Sequence, residues 1–186
     1  PSAHRIVGLY MMTVNGQLMF IADATINIYP DARTLAEIAL QTARVARRFG
    51  VTPKVAMLSF SNFGTSNELR TDRIEEAITM AREMDRGLVI DGPMQADTAL
   101  VPDRQKEFPF MEFEGPANVL VCPNLASANI AYKLLQRIAG AEMTGPILEG
   151  LAKPAHVLQR GDSVRQVVHM AAITAVDAQR HARQRL

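Results

Sequence analysis

The sequence has little cysteine, few aromatic residues, no long apolar run and almost no net charge. Cys122 is its only cysteine, so no disulfide forms within the chain and nothing favours an oxidising compartment; we therefore expect a cytoplasmic location. No apolar run approaches the roughly 18 residues of a membrane span, so we expect no membrane partner. The 20 basic and 19 acidic residues leave a net charge of +1, too weak a field to hold nucleic acid through its phosphates.

The rest of the composition is that of an ordinary globular domain, with 48% hydrophobic and 21% charged residues among 186. Asn15-Gly16, between two apolar stretches, predicts a β-hairpin at the start of the chain. Short apolar runs predict strands buried on both faces, at residues 55–59, 88–91 and 119–122. Apolar residues at helical spacing predict four helices: one that Asp31 caps and Gly50 ends, 72–86 with Gly87 as its C-cap, 125–139, and 164–181.

Strands and helices therefore alternate along the chain. This rhythm predicts an α/β fold, a three-layer αβα arrangement around a mostly parallel sheet, with the hairpin at the edge and a long helix at the C-terminus. Gly145-Pro146 and Lys153-Pro154 interrupt residues 141–161, which we predict to be a crossing linker.

Polar residues follow three of the predicted strands, where ligands bind in such sheets. Asp23 and Asn27 follow the hairpin, the loop 59–66 follows the next strand, and Asp91-Gly92 follows the one after it. That loop supplies hydroxyls, an amide and a glycine before a helix, a pattern that suits an anion or an amide, and its candidate residues are Ser59, Ser61, Asn62, Gly64 and Thr65. It contains no Gly-x-Gly-x-x-Gly or Gly-Lys-Ser/Thr motif, so an ordinary polar loop is the simpler alternative.

Other familiar catalytic patterns are missing. The four histidines are scattered and a single cysteine cannot build a thiolate zinc site, so we expect no metal site in this chain. Gly-x-Ser-x-Gly, the hydrolase motif, is absent. Cys122 ends an apolar run, which favours an inert buried thiol over a nucleophile.

Several segments, in their order along the chain, resemble phosphate acetyltransferases: residues 22–27, 56–61, 91–97, 115–125, 128–133, 136–142, 145–148 and 171–176. The resemblance implies an isocitrate/isopropylmalate dehydrogenase-like lobe. It covers mainly the second of the family's two lobes, which we assign to residues 1–150. Residues 151–186 then form a linker and a C-terminal helix that would pack on the missing first lobe.

The departures from the family lie near residue 160. Phosphate acetyltransferases carry Ser-Arg-Gly-Cys-Ser there, followed by an Asp that the resemblance implies is the base for the coenzyme A thiol. This chain keeps Arg160, but Gln159 replaces the serine and Gln166 occupies the place of the aspartate. Glutamine cannot accept a proton, and losing a positioned base typically costs about 10² to 10⁴ in rate. Ser163 and Gln166 also have the spacing of a capping box, which fits any function.

The loop 59–66, together with glutamines in place of the family's serine and aspartate, resembles the transacetylase-like C-terminal module of bacterial multidomain NADP-dependent malic enzymes. The resemblance implies a catalytically inactive module that binds acetyl-CoA as an effector, with Arg160 and the loop 59–66 lining the site, and Asp23 and Asn27 as further candidates. The parent would convert malate and NADP to pyruvate, CO2 and NADPH, using NADP and a divalent metal held in domains outside this chain. Partners would be acetyl-CoA, those catalytic domains and further copies of the chain, as a dimer or larger oligomer.

Two alternatives remain open. A catalytically competent phosphate acetyltransferase would convert acetyl-CoA and phosphate to acetyl phosphate and coenzyme A, using Arg160 and an unidentified base. A module that serves assembly alone would bind no ligand; in the family the helix equivalent to residues 126–139 lies near a subunit contact.

Overall fold

The computed structural model describes residues 5–14, 16–64 and 72–183. Within them the chain forms six strands and six helices: β1 (Val7–Val14), β2 (Gln17–Ala22), α1 (Ala32–Arg48), β3 (Lys54–Leu58), α2 (Asp72–Met84), β4 (Val89–Met94), α3 (Ala96–Leu100), α4 (Pro102–Gln105), β5 (Val119–Val121), α5 (Leu125–Ile138), β6 (Glu142–Glu149) and α6 (Val164–Arg183). The predicted hairpin is β1 and β2; its turn residue Asn15 lies outside the described residues.

The six described strands join one sheet in the order β4-β3-β5-β2-β1-β6. β3 runs parallel to β4 and β5, and β5 runs parallel to β2, whereas β1 is antiparallel to both β2 and β6. The sheet is therefore mostly parallel and carries its antiparallel pairs at one end, which confirms the predicted α/β class.

Helices cover both faces of the sheet because alternate strand residues point to opposite sides. In β1, Val7 and Leu9 belong to a buried cluster with α1 and α2, whereas Tyr10 and Met12 belong to a second cluster with α3 and α5. Met170 of α6 joins the first cluster. The three-layer arrangement is thus confirmed. Among the described helices, none has both the length and the apolar character needed to cross a membrane.

Local signals define α1 at both ends. The Asp31 carboxylate accepts a hydrogen bond from the Thr34 amide at 2.8 Å, which satisfies one of the amides left open at a helix start. Gly50 follows the last turn with a φ of +75°, a conformation that favours glycine. Both predicted boundaries are confirmed.

Two predictions about the sheet edge are wrong. Glu142–Glu149, predicted to be a linker, forms β6 and pairs with β1 along its length, from Val7 beside Glu149 to Thr13 beside Glu142. The hairpin is therefore one strand in from the edge, because β6 adds outside β1.

Gly87 is not the C-cap of α2. The helix ends at Met84, and the Asp85 carboxylate accepts the Gly87 amide at 3.0 Å. An aspartate side chain therefore closes the turn after α2, which moves the helix end ahead of the glycine.

Candidate functional site

Residues 150–163 connect β6 to α6, and we call them the edge segment because they lie along β6, one of the two edge strands of the described sheet. The His156 Nδ1 accepts the Leu148 amide of β6 at 3.0 Å. Just beyond the segment, the Gln166 Nε2 donates to the Met143 carbonyl at 3.2 Å. These two bonds satisfy backbone groups that an edge strand leaves open, and they anchor the chain on either side of Arg160.

Arg160 is exposed on the edge segment, and its guanidinium makes no ion pair or hydrogen bond with the described residues. The neighbouring Gln159, in contrast, makes two hydrogen bonds: its Nε2 donates to the Tyr10 hydroxyl, and its backbone amide donates to the Asp162 carboxylate at 2.7 Å. The local geometry therefore presents the arginine to solvent while it anchors the preceding glutamine on the sheet. Such an arginine suits a phosphate or a carbonyl oxygen.

The anchor of Gln159 is itself well supported. Tyr10 stacks on Tyr132 of α5 with ring centroids 4.2 Å apart, and each residue is only 4% exposed. Burial, together with the hydrogen bond and charge of Tyr132, raises the pKa of Tyr10 well above its ordinary value. The Tyr10 hydroxyl is therefore a neutral hydrogen-bonding group across the physiological pH range.

Gln166 forms the capping box that its spacing predicts. Its Oε1 accepts the Ser163 amide at 2.8 Å, and the Ser163 hydroxyl accepts the Gln166 amide at 3.3 Å. With its Nε2 on Met143, both ends of the side-chain amide have partners. The residue thus has a complete structural role.

The loop after β3 is held by a pair of side-chain amides. Asn62 accepts the Gln95 backbone amide at 2.7 Å and donates to the Gln95 Oε1 at 3.2 Å, while the Gln95 Nε2 donates to the Phe60 carbonyl at 2.8 Å. Ser61 is buried, and Gly64 has a φ of +74°. Thr65, the remaining candidate of this loop, lies outside the described residues.

A cleft of about 430 Å³ lies beside this loop, at the carboxyl ends of β3 and β5. Its lining includes Ser59, Phe60, Arg73 and Ser127, and the Arg73 guanidinium donates to the Pro123 carbonyl at 3.0 Å. Cys122 also lines it. Burial raises the pKa of this thiol to about 12, against a smaller opposing effect of Ser127, so the sulfur stays protonated and unreactive.

Asp23 and Asn27 bond to each other and to the backbone. One carboxylate oxygen of Asp23 accepts the amides of Thr25 at 2.7 Å and Ile26 at 3.0 Å. The other accepts the backbone and side-chain amides of Asn27, whose side chain also donates to the Ile6 carbonyl at 2.9 Å. Asp23 is only 1% exposed. These contacts shape the turn after β2.

The two halves of the predicted site lie far apart on this chain. The loop 59–64 follows β3, whereas the edge segment lies beside β6, and the sheet order puts four strand spacings between them. At about 4.8 Å for each spacing, that is roughly 19 Å. A small anion cannot touch both, and only an elongated ligand can reach from one to the other.

Comparison with known proteins assigns the chain to a family. Residues 1–175 match the family model described as phosphate acetyl/butaryl transferase. This chain belongs to the phosphate acetyl/butaryl transferase family. A phosphotransacetylase crystal structure from Streptococcus pyogenes superposes on 97% of this chain and 56% of that one with a TM-score of 0.91 and 39% identity.

Curated relatives of this family member include phosphate acetyltransferases and NADP-dependent malic enzymes. Phosphate acetyltransferase from Bacillus subtilis is 41% identical over 172 residues, which is 92% of this chain and 53% of the relative. NADP-dependent malic enzymes from Salmonella typhimurium and Escherichia coli are each 46% identical over 163 residues, 86% of this chain and 21% of the relative. The chain spans about half the length of the phosphate acetyltransferase and about a fifth of the malic enzymes.

Some residues of this family member matter to the site although their sequence context gave no signal. Tyr10, Tyr132 and His156 hold the edge segment, yet each was an isolated polar residue in an apolar or linker context. Among residues 5–14, 16–64 and 72–183, no three His, Cys, Asp or Glu side chains cluster as a metal site would require.

Proposed function

We propose that this chain is an acetyl-CoA-binding regulatory module of an NADP-dependent malic enzyme and that it lacks transacetylase activity of its own. One observation carries the proposal. At the position where the family's base is expected, Gln166 is neutral and its side-chain amide is bonded to Ser163 and Met143. A glutamine held in this way cannot take a proton from the coenzyme A thiol.

The loss of rate expected without a general base supports the proposed lack of transacetylase activity. A free thiol with an ordinary pKa of about 8.5 is only a few per cent thiolate at neutral pH, so the attacking species is scarce without a base. A positioned base typically contributes about 10² to 10⁴ in rate. A module that keeps Arg160 without this base retains an anion contact but not the proton transfer.

Arg160 supplies the ligand contact in this proposal. Its exposed guanidinium forms no ion pair with a carboxylate of the described residues, and it suits a phosphate or the thioester oxygen of acetyl-CoA. Ser59, Ser61, Asn62 and Gly64, with Thr65, would form the second contact. Because the two regions lie roughly 19 Å apart in the sheet, the proposed ligand is an elongated one that spans them. Asp23 and Asn27 shape the neighbouring turn.

The remainder of the parent protein would supply the chemistry. The malic enzyme relatives are about five times longer than the matched region, which leaves room for domains that act on malate with NADP and a divalent metal. The proposed role of this chain is to alter their activity when acetyl-CoA binds. Exposed apolar residues of α6, such as Val164 and Val168, would pack on a first lobe outside this chain. The cytoplasmic location stays a prediction.

Self-association belongs to the same proposal. Ile130, Leu134 and Ile138 are 59%, 51% and 80% exposed and recur every four residues along α5, so they form one apolar stripe. A surface stripe of this kind favours a helix-to-helix contact between two copies. An effector can then act by favouring one arrangement of subunits over another.

A catalytically competent phosphate acetyltransferase is the second candidate, favoured by the 41% identity to the Bacillus subtilis enzyme. It requires another base near Arg160. Asp162 is the carboxylate closest to it in the edge segment, although that carboxylate already accepts the Gln159 amide.

Turnover separates the two candidates. Acetyl phosphate and coenzyme A are mixed with the chain, and thioester absorbance is followed beside a stand-alone phosphate acetyltransferase. We expect no thioester formation above about a hundredth of the reference rate. Turnover at the reference rate that is lost in Asp162→Asn and kept in the surface control Asp103→Asn would establish the enzyme and overturn the proposal.

A further inference from the structure

We propose that the cleft beside the loop after β3 is a binding site for a nucleoside phosphate, with Arg73 as the phosphate contact and Phe60 as the surface on which the base stacks. Both residues line the cleft, and its volume of about 430 Å³ lies within the range of small-molecule sites. The position of the cleft in the fold, the charge of its lining and its aromatic wall each support this class of ligand.

The cleft lies at a point where the sheet changes its winding. β3 and β5 are parallel neighbours. The next long helix after β3 is α2, which packs on the same face of the sheet as α1, whereas α5 follows β5 and packs on the opposite face. Neighbouring parallel strands whose helices leave to opposite faces open a crevice at their carboxyl ends, where doubly wound α/β proteins bind nucleotides and other ligands. The cleft is this crevice, because Ile74 of α2 and Ala131 of α5 both line it.

The described lining of the cleft carries one positive charge and no negative charge. Arg73 is the cation, and no carboxylate is among the described residues that line the cleft. Burial raises the pKa of the Cys122 thiol to about 12, so this group is neutral as well. A phosphate monoester carries between about 1.5 and 2 negative charges at pH 7 and therefore suits this lining.

The guanidinium of Arg73 has donors left for a ligand. Its Nη2 donates to the Pro123 carbonyl at 3.0 Å, which holds the side chain at the wall of the cleft. A guanidinium has five N–H groups, and this bond uses one of them. No carboxylate of the described residues pairs with Arg73, whereas Arg82 of the same helix pairs with Asp91 at 3.7 Å and Glu112 at 3.4 Å. Arg73 is thus held by a neutral carbonyl and keeps its charge for an anion.

Phe60 provides an aromatic surface in the same cleft. The residue is 55% exposed, and its carbonyl accepts the Gln95 Nε2 at 2.8 Å, so a fixed backbone carries an exposed ring. Every nucleobase has a flat face that can stack on such a ring. An aromatic ring and a guanidinium in one cleft therefore suit a base that carries a phosphate.

Two ligands carry this chemistry. One is the phosphoadenosine end of acetyl-CoA; this source rests on the proposed function, in which the loop after β3 is the second ligand contact. The other is a free nucleotide, which makes the cleft a site independent of acetyl-CoA.

Calorimetry with a nucleotide tests the cleft without acetyl-CoA. Adenosine 3′,5′-bisphosphate and adenosine are each titrated into the 186-residue chain, into Arg73→Gln and into the control Arg86→Gln, which removes an exposed arginine beyond the other end of α2. We expect wild type and Arg86→Gln to bind the bisphosphate roughly tenfold to hundredfold more tightly than adenosine, and Arg73→Gln to lose most of this preference.

The preference is the informative quantity, because a loosened fold in the variant would weaken both probes alike. An unchanged preference in Arg73→Gln overturns the proposal. So does the absence of bisphosphate binding to wild type at millimolar concentration.

Phe60→Ala tests the stacking surface separately. This variant should weaken the binding of adenosine and of the bisphosphate by a similar factor, roughly tenfold, and leave the preference between them unchanged. Phe110→Ala is the matched control, because Phe110 is 65% exposed and does not line the cleft. Binding by Phe60→Ala that equals wild type overturns the role of this ring.

The source of the nucleotide is decided with acetyl-CoA and its 3′-dephospho form. If the cleft holds the end of acetyl-CoA, wild type prefers acetyl-CoA over the dephospho form and Arg73→Gln does not. If acetyl-CoA binds independently of Arg73 while the bisphosphate still requires it, the cleft is a site for a free nucleotide. If acetyl-CoA does not bind at all, the proposed function fails, and the bisphosphate titration still decides the role of the cleft.

Discussion

The side-chain amide of Gln159 donates a hydrogen bond to the hydroxyl of Tyr10, and this bond ties the edge segment to the first strand of the sheet. A serine, which the family resemblance would place at position 159, is too short to reach in the same way. On that alignment, an anchor would stand beside Arg160 in place of a small hydroxyl.

Removal of either partner should loosen this anchor. We expect Tyr10→Phe and Gln159→Ala each to lower the free energy of unfolding by about 1 kcal/mol, and the double variant to lose less than the sum. Urea unfolding of the four proteins measures the coupling energy. Strict additivity of the two losses would show that the Gln159 amide does not bond Tyr10 in solution.

Arg48 should contribute more to stability than its neighbour Arg47. Arg48→Gln leaves Glu149 and Asp177 without their shared cation at a site where the arginine side chain is only 26% exposed, so we expect a loss of about 3 kcal/mol. The adjacent Arg47→Gln is the control: its pair with Asp85 is more exposed, at 41% and 31%, and its loss should stay below about 1 kcal/mol. Equal losses would contradict the central role of Arg48.

The loss in Arg48→Gln should also depend on pH. Burial already raises the pKa of Glu149, with Arg48 opposing the rise, so removal of the arginine raises that pKa further. A carboxyl with a raised folded pKa favours the folded state where it is protonated. The variant should therefore recover part of its stability as the pH falls from 7 to 5, as unfolding curves at these pH values would show. A loss that grows on acidification would contradict this account.

The stability that Asp31 contributes should depend on pH in the opposite sense, because it is lost and not recovered as the pH falls. Hydrogen bonds from Thr34 are the main cause that lowers the pKa of Asp31, so its contribution is present above the ordinary aspartate range, near 3.9, and is lost as the pH falls further. We expect Asp31→Ala to cost about 1 kcal/mol at pH 7 and Asp31→Asn to cost little, because asparagine also caps helices. Below pH 3, unfolding experiments should find wild type no more stable than Asp31→Asn. If the free energies of unfolding of wild type and Asp31→Asn differ by the same amount at pH 7 and below pH 3, ionisation of Asp31 does not contribute to the cap.

The α5 stripe should control self-association. Leu134→Glu places a charge in the centre of the stripe and should reduce the oligomer to monomer in sedimentation experiments. Met84→Glu is the matched control, because Met84 is 49% exposed at the end of α2, away from the stripe. Dissociation in both variants, or in neither, would remove α5 from the interface.

Local signals in the sequence predicted the four long helices but not the short α3 and α4, and non-local contacts explain the missed strand β6. Asp31 and Gly50 act on their own neighbours, so the bounds of α1 could be inferred from nearby residues. β6 could not, because Gly145-Pro146 has the appearance of a loop and the strand is defined only by pairing with β1 at the other end of the chain.

Local parts of the candidate site could likewise be predicted from the sequence, whereas parts that depend on folding could not. The Ser163–Gln166 capping box follows from spacing alone and is confirmed. His156 was only one of four scattered histidines in the sequence, because its partners Leu148 and Asp177 come together through folding. The distance between Arg160 and the loop after β3 depends on strand order, which no local pattern contains.

Calorimetry of acetyl-CoA with the wild-type chain, Arg160→Gln and the exposed control Arg86→Gln measures whether the chain binds this ligand through Arg160. We predict that wild type and Arg86→Gln bind the ligand alike and that Arg160→Gln binds at least tenfold more weakly. Absence of binding heat at millimolar ligand in the wild-type chain, with the fold intact, would contradict the account and favour a module that serves assembly alone.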